Sequence, residues 1–238
     1  MIFQTRDGAK LNYEYTKKQS PAIVLVPGIL QTVQDYNAFN NLPNSLLLID
    51  SRGQGKSTYT QPIPPSTIPM DLTLLQLATD IFDIILECEL KEFVLLGFDL
   101  SGIACLQLSL LLRGRDDVVL QGMVLVNTFP MTPSRGMLRV SMENPNQYIT
   151  NSKGKSSFTQ LDQLVLREQL NCINGVNLTD QLHLVKTPTL VLHGADNKMI
   201  DVSYGLMIAE NISGSEVAVV PGVGHWYNYV NLGITNTT

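Results

Sequence analysis

Phe93-Val94-Leu95-Leu96-Gly97-Phe98-Asp99-Leu100-Ser101-Gly102 is the stretch on which the fold turns. An apolar run passes through Gly-x-Asp-x-Ser-Gly into Ile103 to Leu112, where apolar residues recur at helical spacing. A strand that enters a helix through so tight a turn needs small residues two positions either side of the turning residue, because strand and helix approach closely there. Gly97 and Ser101 meet that size rule. Taken alone, the segment fits an ordinary glycine-containing strand–helix turn equally well.

Outward from this turn the same pattern repeats. Ala22 to Val26, Leu46 to Ile49, Met123 to Val126, Thr189 to Leu192 and Val217 to Val220 are short runs, mostly apolar on both faces. Such runs suit parallel strands covered by helices on both sides. Ile2 to Thr5 and Leu11 to Tyr15 flank Asp7-Gly8 and read as an antiparallel hairpin. Helical spacing is clearest from Leu72 to Leu90 and recurs at Ser203 to Asn211. A hairpin feeding alternating strands and helices predicts an α/β fold, a doubly wound and mostly parallel sheet of about eight strands. Ligands on such sheets sit beyond the carboxyl ends of the strands. Residues 131–175, rich in Ser, Asn and Thr with a helix expected at Phe158 to Leu170, read as a small inserted cap. No repeat or linker divides the chain, so 1–238 is expected to be one domain.

Composition narrows the function classes. Hydrophobic residues make up 44% and charged residues 16%, enough for a large core and against disorder. The net charge is −5 and the Lys and Arg residues are scattered, which argues against nucleic acid or a membrane surface as partner. No apolar run approaches membrane-spanning length. The opening MIFQTRDGAK lacks the features of a secretory signal, so a cytoplasmic protein is expected. Cys88, Cys105 and Cys172 then read as reduced thiols, and the sequons at Asn177, Asn211 and Asn236 carry no meaning. His183, His193 and His225 are not spaced for zinc; no metal site is expected, and His193 reads as a hydrogen-bonded structural histidine. A small-molecule substrate is the expected partner, and the oligomeric state is open.

Four motifs in order carry a family resemblance. Gly97 to Ser101 resembles the Gly-x-Ser-x-Gly nucleophile elbow of the α/β-hydrolases, with Asp99 in place of the serine. Val26-Pro27-Gly28-Ile29 follows the third strand, where that family usually has His-Gly. Asp50-Ser51-Arg52-Gly53-Gln54-Gly55-Lys56-Ser57 looks like its Asp-x-Arg-Gly-x-Gly-x-Ser turn, a structural segment. It is not a phosphate loop, since Asp50 stands where the first glycine would be needed. Val220-Pro221-Gly222-Val223-Gly224-His225-Trp226 matches the loop of the catalytic histidine. The resemblance runs from Phe3 to about Tyr229 and leaves only the cap unassigned.

The resemblance implies a site made of Asp99, His225 and an acid, with Gly28 and the amides of Ile29 and Leu100 forming an oxyanion hole. For the acid it points to the loop after the seventh strand, His193-Gly194-Ala195-Asp196-Asn197, where Asn197 occupies the strict position and Asp196 lies one residue early. Asp196 is favoured; Asp201 reads as a helix cap. Asn127, after the sixth strand, holds the family's alternative acid position and would orient the histidine without a charge. Within the family, aspartate elbows belong to haloalkane dehalogenases and epoxide hydrolases, which use no metal or organic cofactor. Neither subtype fits: Leu100 replaces the halide-binding Trp, and the cap offers only Tyr148 where epoxide hydrolases use two tyrosines. Tyr204 and Tyr227 lie outside the cap. Three readings stand: a hydrolase of a small, mainly apolar ester-, epoxide- or halide-type substrate; a ligand-binding or near-inactive relative with a drifted triad; and, ranked last, an esterase-like enzyme in which Ser101 or water replaces the missing serine.

Overall fold

The computed structural model describes residues 1–59, 72–136, 139 and 160–225. Among them eight strands form one sheet: β1 (Ile2–Gln4), β2 (Lys10–Thr16), β3 (Gln19–Val26), β4 (Asn44–Ile49), β5 (Glu92–Phe98), β6 (Val119–Val126), β7 (Thr189–Gly194) and β8 (Glu216–Val220). Their order is β1-β2-β4-β3-β5-β6-β7-β8. β2 pairs antiparallel with β1 and β4, and every later pairing is parallel. Each strand predicted from the sequence is present.

The doubly apolar strands separate two cores. Val24, Leu47, Leu95, Leu125 and Val191 face one, packed with residues from α1 (Leu74–Glu87), α2 (Leu100–Leu111), α3 (Gln160–Cys172) and α4 (Val202–Asn211). Leu25, Leu48, Phe98 and Val126 face the other, where Val33 and Tyr36 of the 3₁₀ segment Val33–Asn41 cover them. Helix α1 presents Leu74, Leu77, Ala78, Ile81, Ile84 and Ile85 to the first core, the spacing of one helical face. Thr73 caps it by accepting from the Gln76 amide at 3.1 Å. Asp201 caps α4 through the Ser203 amide at 3.0 Å, as expected.

The turn after β4 is structural. Asp50 Oδ2 accepts from Asn12 Nδ2 at 2.8 Å and Oδ1 from the Val33 amide at 2.8 Å, while Ser57 Oγ donates to the Asp50 carbonyl at 2.7 Å. Arg52 is buried and forks onto Asp80 of α1, with Nε–Oδ2 at 2.8 Å and Nη2–Oδ1 at 2.7 Å. Its Nη1 also reaches Asp7 of the hairpin at 2.7 Å. Gln169 of α3 donates to the Arg52 carbonyl at 3.3 Å, which seats α3 on this turn.

The expected cap leaves and re-enters the sheet at one place. Met131 bridges Asn177, and the Thr132 amide donates to the Val176 carbonyl at 2.8 Å. Tyr204 of α4 holds the departing chain, its hydroxyl accepting from the Ser134 amide at 2.6 Å. Tyr148 and most of the expected cap lie outside the described residues, as do Trp226 and Tyr227. Among the described residues no helix is long and apolar enough to cross a membrane.

Candidate active site

β5 ends at Phe98 and α2 begins at Leu100, so Asp99 alone makes the turn, with φ 52° and ψ −123°. Such a conformation at a non-glycine residue costs about 1–3 kcal/mol and persists only when its surroundings hold it. Here they do. The Asp99 amide donates to the Val126 carbonyl at 2.9 Å, and the Asp99 carbonyl accepts from the Gly102 amide at 3.0 Å and from Thr128 Oγ1 at 2.5 Å. Strand and helix are close enough that a Cβ on Gly97 would lie 2.8 Å from Gly102 Cα.

The turn presents the Asp99 carboxylate to the histidine loop after β8. Oδ2 lies 3.8 Å from Nε2 of His225, and each side chain is only 5% exposed. That is ion-pair range rather than a direct hydrogen bond, a spacing that catalytic contacts commonly show without a bound substrate. The His225 loop is fixed at its backbone, since Asn127 Nδ2 donates to the His225 carbonyl at 2.9 Å.

The loop after β3 closes the other side. A Cβ on Gly28 would lie 2.8 Å from Gln31 Oε1 and 3.3 Å from Asp99 Cβ, so this loop packs closely on the elbow. The Gly28 amide is committed to Gln31 Oε1 at 2.9 Å, which also accepts from the Tyr36 hydroxyl at 2.6 Å. Ile29 and Leu100 are buried beside the elbow. Leu100 is the first residue of α2, so its amide has no acceptor within the helix, and the helix dipole favours negative charge there. Ser101 is engaged by the β3 loop instead: its Oγ donates to the Pro27 carbonyl at 2.5 Å and lies 3.5 Å from Ser51 Oγ.

A hydrolase from Pseudomonas aeruginosa superposes with a TM-score of 0.75 over 94% of this chain and 91% of its own, at 22% identity. The esterase EaEST from Exiguobacterium antarcticum gives a TM-score of 0.76 with the same coverage and identity. The hydrolase MGS-M2, from a deep-sea metagenome library, gives 0.78 at 16% identity, and is described as an alpha/beta hydrolase. This chain has the α/β-hydrolase fold. A curated relative, the alpha/beta hydrolase domain-containing protein aho-3 of Caenorhabditis elegans, is 42% identical over 55 residues, which is 23% of this chain and 17% of that protein. No protein-family model matches.

Within this α/β-hydrolase fold, the expected acid is not where the sequence placed it. Asp196 is exposed; its amide donates to the Val223 carbonyl at 2.9 Å, and among the described residues no hydrogen bond or ion pair reaches its carboxylate. The shift of one residue that would carry it to His225 has not occurred, because Asn197 anchors the loop. Asn197 Oδ1 accepts from the Met199 and Ile200 amides, each at 3.0 Å, which turns Asn197 inward and Asp196 outward. The structure therefore brings together Asp99, His225 and the Gly28–Ile29 loop, and leaves Asp196 outside. His193 takes the structural role expected of it, with Nε2 3.0 Å from the Ile200 carbonyl. Among the described residues no cluster of His, Cys, Asp or Glu is arranged to hold a metal ion. Sequence reading missed Thr128, Gln31 and Tyr36; a polar pair at a strand exit, Asn127-Thr128, was the one local signal.

Proposed function

We propose that the chain is a hydrolase of a small, mainly apolar molecule with an electrophilic alkyl carbon, using Asp99 as nucleophile and His225 to activate water. The observation that carries this reading is the pair itself: a carboxylate on a strained elbow, 3.8 Å from an imidazole nitrogen, both nearly withdrawn from solvent. An ionised carboxylate attacks without help from a base. Its oxygen bonds to the alkyl carbon as the carbon–halogen or epoxide carbon–oxygen bond breaks, and the leaving group departs with the electron pair. An epoxide oxygen then takes a proton from water. The alkyl ester of Asp99 is hydrolysed when His225 takes a proton from a second water and the hydroxide adds to the ester carbonyl. The Ile29 and Leu100 amides hold the oxyanion, and its collapse returns the carboxylate and releases an alcohol protonated by His225.

The test is the intact mass of a His225→Gln variant after incubation with a panel of alkyl halides, epoxides and esters. An adduct on Asp99 is the expected result. An adduct on Ser101, or equal turnover by the unaltered protein and Asp99→Asn, removes Asp99 from the role. The exposure of Asp196 favours a second reading, a ligand-binding relative with a drifted triad. That reading predicts saturable binding of a panel compound with neither adduct nor product.

A further inference from the structure

The exit of β6 reaches both members of the pair from behind. Asn127 is 3% exposed and Thr128 is fully buried. Asn127 Oδ1 accepts from the Gly194 amide at 2.9 Å, and its Nδ2 donates to the His225 carbonyl at 2.9 Å. Thr128 Oγ1 donates to the Asp99 carbonyl at 2.5 Å. Its side chain also fills the space beside Gly102, where an added Cβ would lie 2.5 Å from Thr128 Cβ. Adjacent residues on one strand end thus hold the elbow and the histidine loop.

We infer that Asn127-Thr128 is a positioning dipeptide that sets the separation between the Asp99 carboxylate and the His225 imidazole. The inference rests on the reading of those two residues as the reacting pair. Both contacts go to backbone carbonyls, so they fix where the side chains are mounted and leave their charge alone. The chemistry also explains why an amide occupies a position where this fold elsewhere places an acid. The Gly194 N–H needs an acceptor and the His225 carbonyl needs a donor; an amide supplies both, whereas a carboxylate would set oxygen against oxygen. Asn127 has φ 49°, a left-handed conformation that asparagine tolerates better than most residues.

The test reads the ring resonances of His225, one of three histidines in the chain, and needs no substrate. Asp99→Asn removes a charge 3.8 Å from Nε2 and shifts those resonances in the otherwise unaltered protein. Asn127→Asp keeps the side-chain size and the acceptor for Gly194 but removes the donor to His225. Thr128→Val replaces the hydroxyl with a methyl group, and Thr128→Ser keeps the hydroxyl and loses the methyl. The expected result is that the shift caused by Asp99→Asn largely disappears in the Asn127→Asp and Thr128→Val backgrounds and survives in Thr128→Ser. An undiminished shift in Asn127→Asp and Thr128→Val overturns the positioning role while leaving the pair intact. Equal loss in Thr128→Ser and Thr128→Val assigns the effect to packing and overturns it as well. No shift in the unaltered protein overturns the pair and the positioning role together. Should Asn127→Asp fail to fold, the two Thr128 variants decide the matter alone.

Discussion

Gly97 is the residue on which the elbow closes. A Cβ there would lie 2.7 Å from Cys105 Sγ, 2.8 Å from Gly102 Cα and 2.9 Å from the Ser101 carbonyl oxygen. Two of those atoms are backbone, so the added methyl cannot be relieved by a side-chain rotation. Gly97→Ala is expected to cost about 1–3 kcal/mol, read as a lower urea midpoint with an unchanged slope. An unaltered midpoint would mean that strand and helix are less tightly apposed than described. Asp196 gives the opposite expectation. It is exposed, and among the described residues its carboxylate makes no hydrogen bond or ion pair with either member of the pair, so Asp196→Asn should keep turnover of a panel substrate within about twofold. A loss matching that of Asp99→Asn would return Asp196 to the machinery. The difference between these residues shows what is legible at this scale. Asp99 and His225 stand in local motifs, each decided by a few neighbours in sequence. Whether Asp196 or Asn197 turns inward is decided by two backbone amides, at Met199 and Ile200, which no spacing in the sequence announces.

Elements were legible wherever a period ran unbroken. Helix α1 was expected from Leu72 to Leu90 and spans Leu74–Glu87, because Thr73 caps its start and Glu89, at φ 54°, ends it. The 3₁₀ segment Val33–Asn41 was not foreseen, since only Val33 and Tyr36 are buried in it and they define no period. The turn after β4 was recognised by its motif, but its reach was not. Arg52 joins that turn to the hairpin through Asp7, to α1 through Asp80 and to α3 through its carbonyl. Burial pushes the Asp80 carboxyl above its ordinary range, more than the Arg52 contacts pull it down. The charge of Arg52 needs it nonetheless, because the Asp7 side chain is 42% exposed and that contact is weakened by solvent. Asp80→Ala is therefore expected to cost about 3 kcal/mol, the scale for removing one partner of a buried pair. Chemical denaturation measures it, and a cost below about 1 kcal/mol would class the clamp with surface ion pairs.

Stability of the whole molecule carries a pH dependence to which the buried His193 contributes. His193 is fully buried at the end of β7; its Nε2 lies 3.0 Å from the Ile200 carbonyl, which only accepts, and at the longer distance of 3.4 Å from Asn197 Nδ2. Nε2 therefore bears the proton of the neutral ring. Nδ1 lies against α4, where a Cβ on Gly205 would be 2.7 Å away, and it has no hydrogen-bond partner among the described residues. A second proton there would place a cation where nothing receives it. Burial pulls the His193 pKa below its ordinary 6.5; the Ile200 carbonyl opposes this, His225 adds to it, and Asp201 opposes it weakly. The sign follows from linkage. Between pH 6.5 and the lower folded value the unfolded chain binds the proton and the folded chain does not, so stability is full above 6.5 and falls as pH drops through that window. Asp80, raised rather than lowered, works in the opposite direction above its ordinary 3.8, so the wild-type curve alone mixes the two. Comparison with His193→Gln separates them, because Asp80 and His225 are common to both proteins. The variant should lose the fall in melting temperature that the unaltered protein shows as the pH is lowered from 6.5, while keeping any slope due to Asp80. Parallel curves would mean that His193 accepts its second proton in the folded state as readily as in the unfolded chain, and that the acid sensitivity of the fold originates elsewhere.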